Sequence, residues 1–389
     1  MARTSVIKGI LRRLHWLQHR PAPRGVANGL RNLLAFTLRL ERAGRLPSLV
    51  KIDISPQCNL ACPHCLHADP VGRARPLLDA QVFGKNSRMS VDQFAAIVEQ
   101  LRGRVLAVSL FYYGDPLMHP DLDTMIRIAR AAELAVHITT HFSYPLQVER
   151  IRQLVDAGLS HITVAVDGAS QETYGVTRVR GRLDRVLGNL KALLDYKREG
   201  GLTLPYVEVQ HLEFPHHLPG EKDAVRRMVM AMGVDHWKCS TGQRFDSSGA
   251  LYNVVDDYPS SPEGEALPNR PLPRCHWPYS SAVIKFDGEV IPCCLWRVGK
   301  QYIPGEATHA LGNIFETPLA EMWNGPGYRA LRRRVSYPAA GRGDESFCDG
   351  CPKLCRSVPG PRVSDVALVA AVERPAEQPG DPRPLPVPL

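Results

Sequence analysis

The chain has 389 residues, 44% of them hydrophobic, enough for a large core and two domains. Its net charge of +9 is confined to one end: residues 1–51 carry 11 Lys/Arg against the single acid Glu41, a balance of +10, and the rest balances at −1. A neutral body argues against a nucleic-acid groove, and with no run of about 18 apolar residues there is no transmembrane span.

The basic first segment, residues 1–48, lacks the apolar stretch of a secretory signal, and it is Arg-rich and acid-poor without being Ser-rich. Leu30, Leu33, Leu34 and Leu38 recur at helical spacing. They predict an amphipathic helix packed on the body with its basic face in solvent. A weak membrane-surface contact through residues 1–48 is the alternative.

Residues 49–240 alternate short apolar runs with amphipathic stretches. Strands are predicted at 49–55, 105–112, 135–140, 161–166, 206–212 and 234–239. Helices are predicted at 90–102, 120–132, 146–157, 182–198 and 221–232. This alternation predicts right-handed βαβ units, a parallel sheet and an α/β fold. In parallel barrels the chemistry sits at the C-terminal ends of the strands.

The first strand runs directly into Cys58-x3-Cys62-x2-Cys65. Three thiolates can hold three irons of a [4Fe–4S] cube and leave the fourth iron open. A zinc site is the competing reading, and it needs His64 or His67 as a fourth ligand. The second predicted strand leads to Gly114-Asp115-Pro116, the third to Thr140-His141, and the fourth to Asp167-Gly168 with Arg178 downstream. Arg180 and Arg182 compete with Arg178 for the same role. Gln210 lies in the fifth strand. Cys239, near the end of the sixth, is read as a buried small apolar residue or as a hydrogen-atom donor.

After a linker at 241–274, a second cysteine group occupies 275–358. Twelve residues separate Cys275 from Gly288 in the hairpin signal Asp287-Gly288, and four more precede Cys293-Cys294. Cys348-x2-Cys351-x3-Cys355 closes the group. A zinc knuckle would account for Cys348 and Cys351 alone. Residues 359–389 carry repeated prolines and predict a disordered tail. Ten cysteines in a long chain without a secretory signal predict metal in a reducing compartment, here the cytoplasm.

These motifs, over residues 49–355, resemble the radical S-adenosylmethionine (SAM) superfamily with a C-terminal SPASM/twitch extension. The resemblance implies a partial (β/α)6 TIM-type barrel plus a small hairpin/helix domain. It implies SAM bound to the open iron of a cluster on Cys58, Cys62 and Cys65. Gly114, Asp115, Pro116, Thr140, Asp167, Arg178 and Gln210 would contact SAM. Cys275, Cys293, Cys348 and Cys351 would hold one auxiliary [4Fe–4S] cluster, with Cys294 and Cys355 as substitutes. The sequence departs from the family pattern at His64, Tyr113, Asp115 and His141. The implied activity is reductive SAM cleavage and hydrogen-atom abstraction, supplied by a flavodoxin- or ferredoxin-type electron donor. Oxidation or epimerisation of a small natural product, such as a sugar or cyclitol, is preferred to ribosomal-peptide modification, because residues 1–48 are short for a peptide-recognition domain. A non-catalytic zinc or iron–sulfur scaffold, and a pure electron carrier, are the rivals from other classes.

Overall fold

The structure is a computed structural model, and it describes residues 21–62, 65, 87–245, 251–253, 275–294 and 310–336. Cys348, Cys351, Cys355, His64, His67 and the predicted tail lie outside the described residues. So do residues 1–20 and most of the linker.

The chain enters through α1 (Pro23–Leu38), then β1 (Leu49–Ile52), α2 (Val91–Leu101), β2 (Ala107–Ser109), α3 (Leu122–Ala131) and β3 (Ala135–Thr140). It continues through α4 (Val148–Asp156), β4 (His161–Ala165), α5 (Gln171–Thr177), α6 (Leu183–Glu199), β5 (Tyr206–Glu213), α7 (Glu221–Met232) and β6 (His236–Thr241). A two-stranded ribbon, β7 (Gln243–Phe245) with β8 (Leu251–Asn253), follows. Then come α8 (Trp277–Ser280), β9 (Ser281–Ile284), β10 (Val290–Ile291), α9 (Leu319–Trp323) and α10 (Pro326–Ser336).

The six predicted strands form in order, all parallel, as one side-by-side run from β1 to β6. Their apolar residues alternate with the pleat. Val50, Ile52, Val108, Val136, Ile138, Ile162, Val164, Val207 and Val209 share one buried core with Phe94, Ile97, Met125, Ile126, Leu154, Leu190 and Val225 of the covering helices. The intervening residues of β1–β3, Leu49, Ala107 and Ala135, form a separate cluster on the other face. Above them that concave face turns polar, with Lys51, Ser109, His137, Thr163 and Glu208. Helix starts are set locally: Ser90 and Ser170 accept from the N–H groups of Gln93 and Thr173 in reciprocal capping boxes, each contributing about 1 kcal/mol.

Two features depart from the local pattern. Strand β9 pairs parallel with β1 from Leu49↔Ser281 to Ile52↔Ile284, and β10 folds back on it antiparallel. The second cysteine group thus extends the same sheet to eight strands, ordered β10-β9-β1-β2-β3-β4-β5-β6. Gly288, at φ +89°, makes the β9–β10 turn, where a Cβ would meet Phe315 and Asn313.

The second departure is α1. The leucines expected to pack on the body face solvent, and the face turned inward is Gly25, Asn28, Asn32 and Ala35. Hydrogen bonds hold this face. The Asn28 and Asn32 amides both donate to Leu46 O, at 2.7 and 2.8 Å, and Gly44 N donates to Asn32 Oδ1. At the helix end, Phe36 packs edge-on against Tyr279, and buried Arg332 donates to Pro278 O and Glu41 O.

Candidate active site

Leaving β1, the chain runs through Asp53 and Ser55 into the three cysteines. Cys62 is buried, and Cys58 and Cys65 are half-buried. The Cys65 N–H donates to Cys62 O at 2.9 Å, a tight turn between the two. Burial pushes the Cys58 thiol well up, and Asp115, Cys65 and Cys62 push it further. Burial likewise raises Cys62, although Arg178 opposes it. Two thiols raised by burial, Cys58 and Cys62, favour a cationic metal partner that keeps them as thiolates. Among the described residues, no three His, Cys, Asp or Glu side chains converge on a single metal ion. As a donor set, the three cysteines fit a [4Fe–4S] cluster that keeps one iron free of protein ligand.

On the Cys58 side stands the loop after β2. Asp115 N donates to Gln57 O at 2.8 Å, docking this loop onto the cysteine loop. Gly114 sits so close that a Cβ would lie 2.3 Å from Ser55 O and 2.2 Å from Gln57 O. The Asp115 carboxylate is buried and already served: it accepts from Leu117 N at 3.0 Å, Thr140 Oγ1 at 2.8 Å and His141 N at 2.9 Å. His141 accepts from Ser143 N at Nδ1, leaving Nε2–H to face Asp115 at 3.4 Å. Burial holds His141 below its usual range and Arg178 adds to this, against Asp115. The imidazole is therefore neutral near pH 7, stacked on Tyr144 at 4.6 Å.

On the Cys62 side stand Asp167 and Arg178. Arg178 Nε and Nη2 both reach Asp167 Oδ2, at 2.7 and 2.6 Å, and Nη1 lies 3.9 Å from Cys62 Sγ. Burial disfavours the guanidinium charge, but Asp167 and Cys62 outweigh it, so Arg178 stays firmly protonated. The other Asp167 oxygen accepts from Leu212 N at 2.7 Å. His217 braces the main chain here: Nε2 donates to Asp167 O and Nδ1 accepts from Phe214 N. Arg180 and Arg182 are exposed, and Arg182 pairs with Asp184. Burial thus separates three arginines that the sequence leaves equivalent.

The remaining candidates are dispersed. Gln210 lies on the concave face, where Lys238 Nζ donates to its Oε1 at 3.1 Å. Cys239 does not join this face. It pairs in register with His211, two residues beyond the Val209↔Trp237 pair that packs in the helix-covered core. Its Sγ lies 4.0 Å from Glu213 Oε2. In the second cysteine group, Cys275 packs by Ala35 and Tyr279. Cys293 follows β10 and lies close enough to Tyr328 to raise that phenol's pKa, after burial as the larger cause. The Tyr112 hydroxyl donates to Cys294 O at 3.4 Å, tying the end of β2 to this cysteine pair. Sequence reasoning missed Tyr144 and His217, which carry no motif and are found only by proximity.

The Radical SAM superfamily model matches residues 52–213, and the SPASM model, an iron–sulfur cluster-binding domain, matches residues 275–352. The first implies SAM and a [4Fe–4S] cluster, and the second implies auxiliary iron–sulfur binding. The chain is 26% identical over 224 residues to GTP 3′,8-cyclase of Chlorobaculum tepidum, covering 56% of this chain and 64% of that protein, under two thirds of its length. It is 23% identical over 331 residues to the tungsten-containing aldehyde ferredoxin oxidoreductase cofactor-modifying protein of Pyrococcus furiosus, covering 77% and 87%. The crystal structure of Streptococcus suis SuiB bound to S-adenosylmethionine shares the fold, with a TM-score of 0.55 at 18% identity over 82% of this chain and 74% of SuiB.

Proposed function

Because the chain belongs to the radical SAM superfamily and carries a C-terminal SPASM region, we propose that it is an enzyme that removes a hydrogen atom from a polar small molecule, a sugar, cyclitol or similar natural product. The observation that carries this reading is the hydrogen-bonded wall on the concave face of the sheet. Ser109 Oγ meets His137 Nδ1 at 3.0 Å, His137 Nε2 meets Thr163 Oγ1 at 2.9 Å, and Thr163 donates to Glu208 at 3.3 Å. Lys51, Gln210 and Lys238 share that face. A wall of donors and acceptors suits a hydroxyl-bearing ligand, which can exchange hydrogen bonds with it where an apolar ligand cannot. The Chlorobaculum relative, whose name assigns it GTP, also acts on a small polar molecule.

The cluster on Cys58, Cys62 and Cys65, with SAM bound, would supply one-electron SAM cleavage and the hydrogen-atom acceptor. In this reading Arg178, whose Nε and Nη2 are held by Asp167, offers Nη1 to the SAM carboxylate. Gly114 and Pro116 present main chain to the SAM amino group. Asp115 positions that turn, since its oxygens already accept from Leu117, Thr140 and His141. Thr140 acts through Asp115, and Gln210 lines the substrate side. Cys275 and Cys293, with Cys348 and Cys351, would hold the auxiliary cluster, close to the barrel through the Tyr112–Cys294 contact. We place the enzyme in the cytoplasm, served by a flavodoxin- or ferredoxin-type donor.

The test is anaerobic incubation of reconstituted protein with SAM and dithionite. Wild type is expected to release 5′-deoxyadenosine and Cys62→Ala to release none. Release by Cys62→Ala at the wild-type rate, or none from wild type, would sink the proposal. Glu208→Gln is expected to change the response to polyol substrates while leaving uncoupled SAM cleavage intact.

A further inference from the structure

Helix α1 carries a ridge that the fold does not use. Val26, Leu30, Leu33, Leu34 and Leu38 all face outward, and Leu40 extends the row. Leu30 is 62% exposed, Leu38 58% and Leu34 55%. The opposite face of the same helix already fastens it, through the Asn28 and Asn32 amides on Leu46 O and through Ala35 against Tyr279 and Val335. The leucines are therefore not a misplaced core face. A contiguous apolar row of this kind on a protein surface marks a contact with something else.

Charge selects the occupant. Helix α1 holds Arg24 and Arg31 and no acid, and both arginines are exposed beside the leucine row. Exposed Arg39, Arg42 and Arg45 follow it. Arg39 Nη1 reaches Ser336 O, which sets the end of α1 beside α10 with its Arg329 and Arg333. Glu41, the one acid in residues 1–51, is engaged by both of those arginines. The twenty residues before α1 add five Lys/Arg and no acid. Two copies meeting through this face would bring like charges together, and the preceding twenty residues carry the same sign, so neither fits as the cover. An outward leucine row flanked by arginines fits a surface that is apolar inside and anionic outside. We infer that α1 is a peripheral membrane anchor: its leucine row enters the acyl boundary of an anionic lipid surface while the arginines meet the headgroups. The inference is independent of the substrate assignment.

The test is anaerobic flotation of the full-length, cluster-loaded protein with phosphatidylcholine vesicles and with phosphatidylcholine vesicles containing phosphatidylglycerol. Wild type is expected to float with the anionic vesicles only, and less as salt rises. Leu30→Glu/Leu34→Glu is expected to bind at least tenfold more weakly while keeping wild-type iron content and 5′-deoxyadenosine release. Leu33→Ser/Leu38→Ser serves as a second variant, with the same expectation. Failure to float with anionic vesicles would overturn the proposal. So would undiminished binding by both variants. Sedimentation showing a wild-type dimer that the variants dissolve would overturn it in favour of a self-contact.

Discussion

Arg178 links Cys62 to Asp167: its Nη1 stands 3.9 Å from the Cys62 sulfur while its Nε donates to the Asp167 carboxylate at 2.7 Å. One guanidinium thus joins the cysteine loop after β1 to the end of β4, although Arg178 itself stands 116 residues from Cys62 in sequence. The fixed fork leaves Nη1 directed at the side where Cys62 lies.

Removing that link tests its structural part and the SAM contact proposed for it separately. Arg178→Ala leaves the fully buried Asp167 carboxylate without its cation, which should cost about 3–5 kcal/mol of stability. Arg178→Lys keeps a charge but loses the planar fork. It should unfold near the wild-type temperature yet bind SAM about tenfold more weakly, about 1.4 kcal/mol. Thermal unfolding and calorimetric titration with SAM separate the two effects, and unchanged SAM affinity in Arg178→Lys would remove the guanidinium from the SAM site.

Gly114 allows no side chain. A Cβ there would fall 2.2 Å from Gln57 O and 2.3 Å from Ser55 O, both backbone atoms that must move with the cysteine loop. Gly114→Ala should cost about 1–3 kcal/mol. It should also lower the iron retained at Cys58, Cys62 and Cys65, leaving the auxiliary cluster in place. Iron per chain after desalting measures this.

His217 sets a limit on the acid side. Burial, with His216 and His211 nearby, holds its pKa at about 4 against 6.5 for the free side chain. The folded state therefore binds this proton less tightly than the unfolded one. The stability it protects is complete above pH 6.5 and lost as pH falls through 6.5 towards 4. Protonation at Nδ1 would also break the bond accepted from Phe214 N. After allowance for solvent screening at this half-buried site, the loss should be about 1–2 kcal/mol. Unfolding free energies of wild type and His217→Gln should converge over that window, and parallel pH profiles would contradict the assignment.

Cys239 lies on the helix-covered face of β6, beside Glu213, rather than on the concave wall. Cys239→Ala should leave the product unchanged and solvent deuterium incorporation equal to wild type. Loss of a solvent-derived deuteron in the variant would restore it as a hydrogen-atom donor.

The barrel was legible because βα alternation is a local signal: β3 and α7 formed at the expected bounds. Helix α5 was not, since its seven residues depend on Ser170 capping with Thr173 rather than on a long periodic stripe. The β1–β9 pairing joins residues more than 200 apart and leaves no local trace. For α1 the spacing was read correctly and the direction was not. Leucines at helical intervals fix a face, but which face turns inward was decided by Asn28 and Asn32, whose amides find Leu46 O. At the site, sequence supplied Cys58, Asp115, Asp167 and Arg178 as candidates. Only geometry distinguished Arg178 from Arg180 and Arg182, and only geometry turned Asp115 from a free carboxylate into a brace for Thr140 and His141.

The most direct test of the central claim is iron, sulfide and zinc per chain after anaerobic reconstitution, in wild type and in a Cys58→Ala/Cys62→Ala/Cys65→Ala variant. Two four-iron clusters predict about eight irons in wild type and about four in the variant. Zinc with little iron in both would contradict the account and leave a metal-stabilised scaffold in its place.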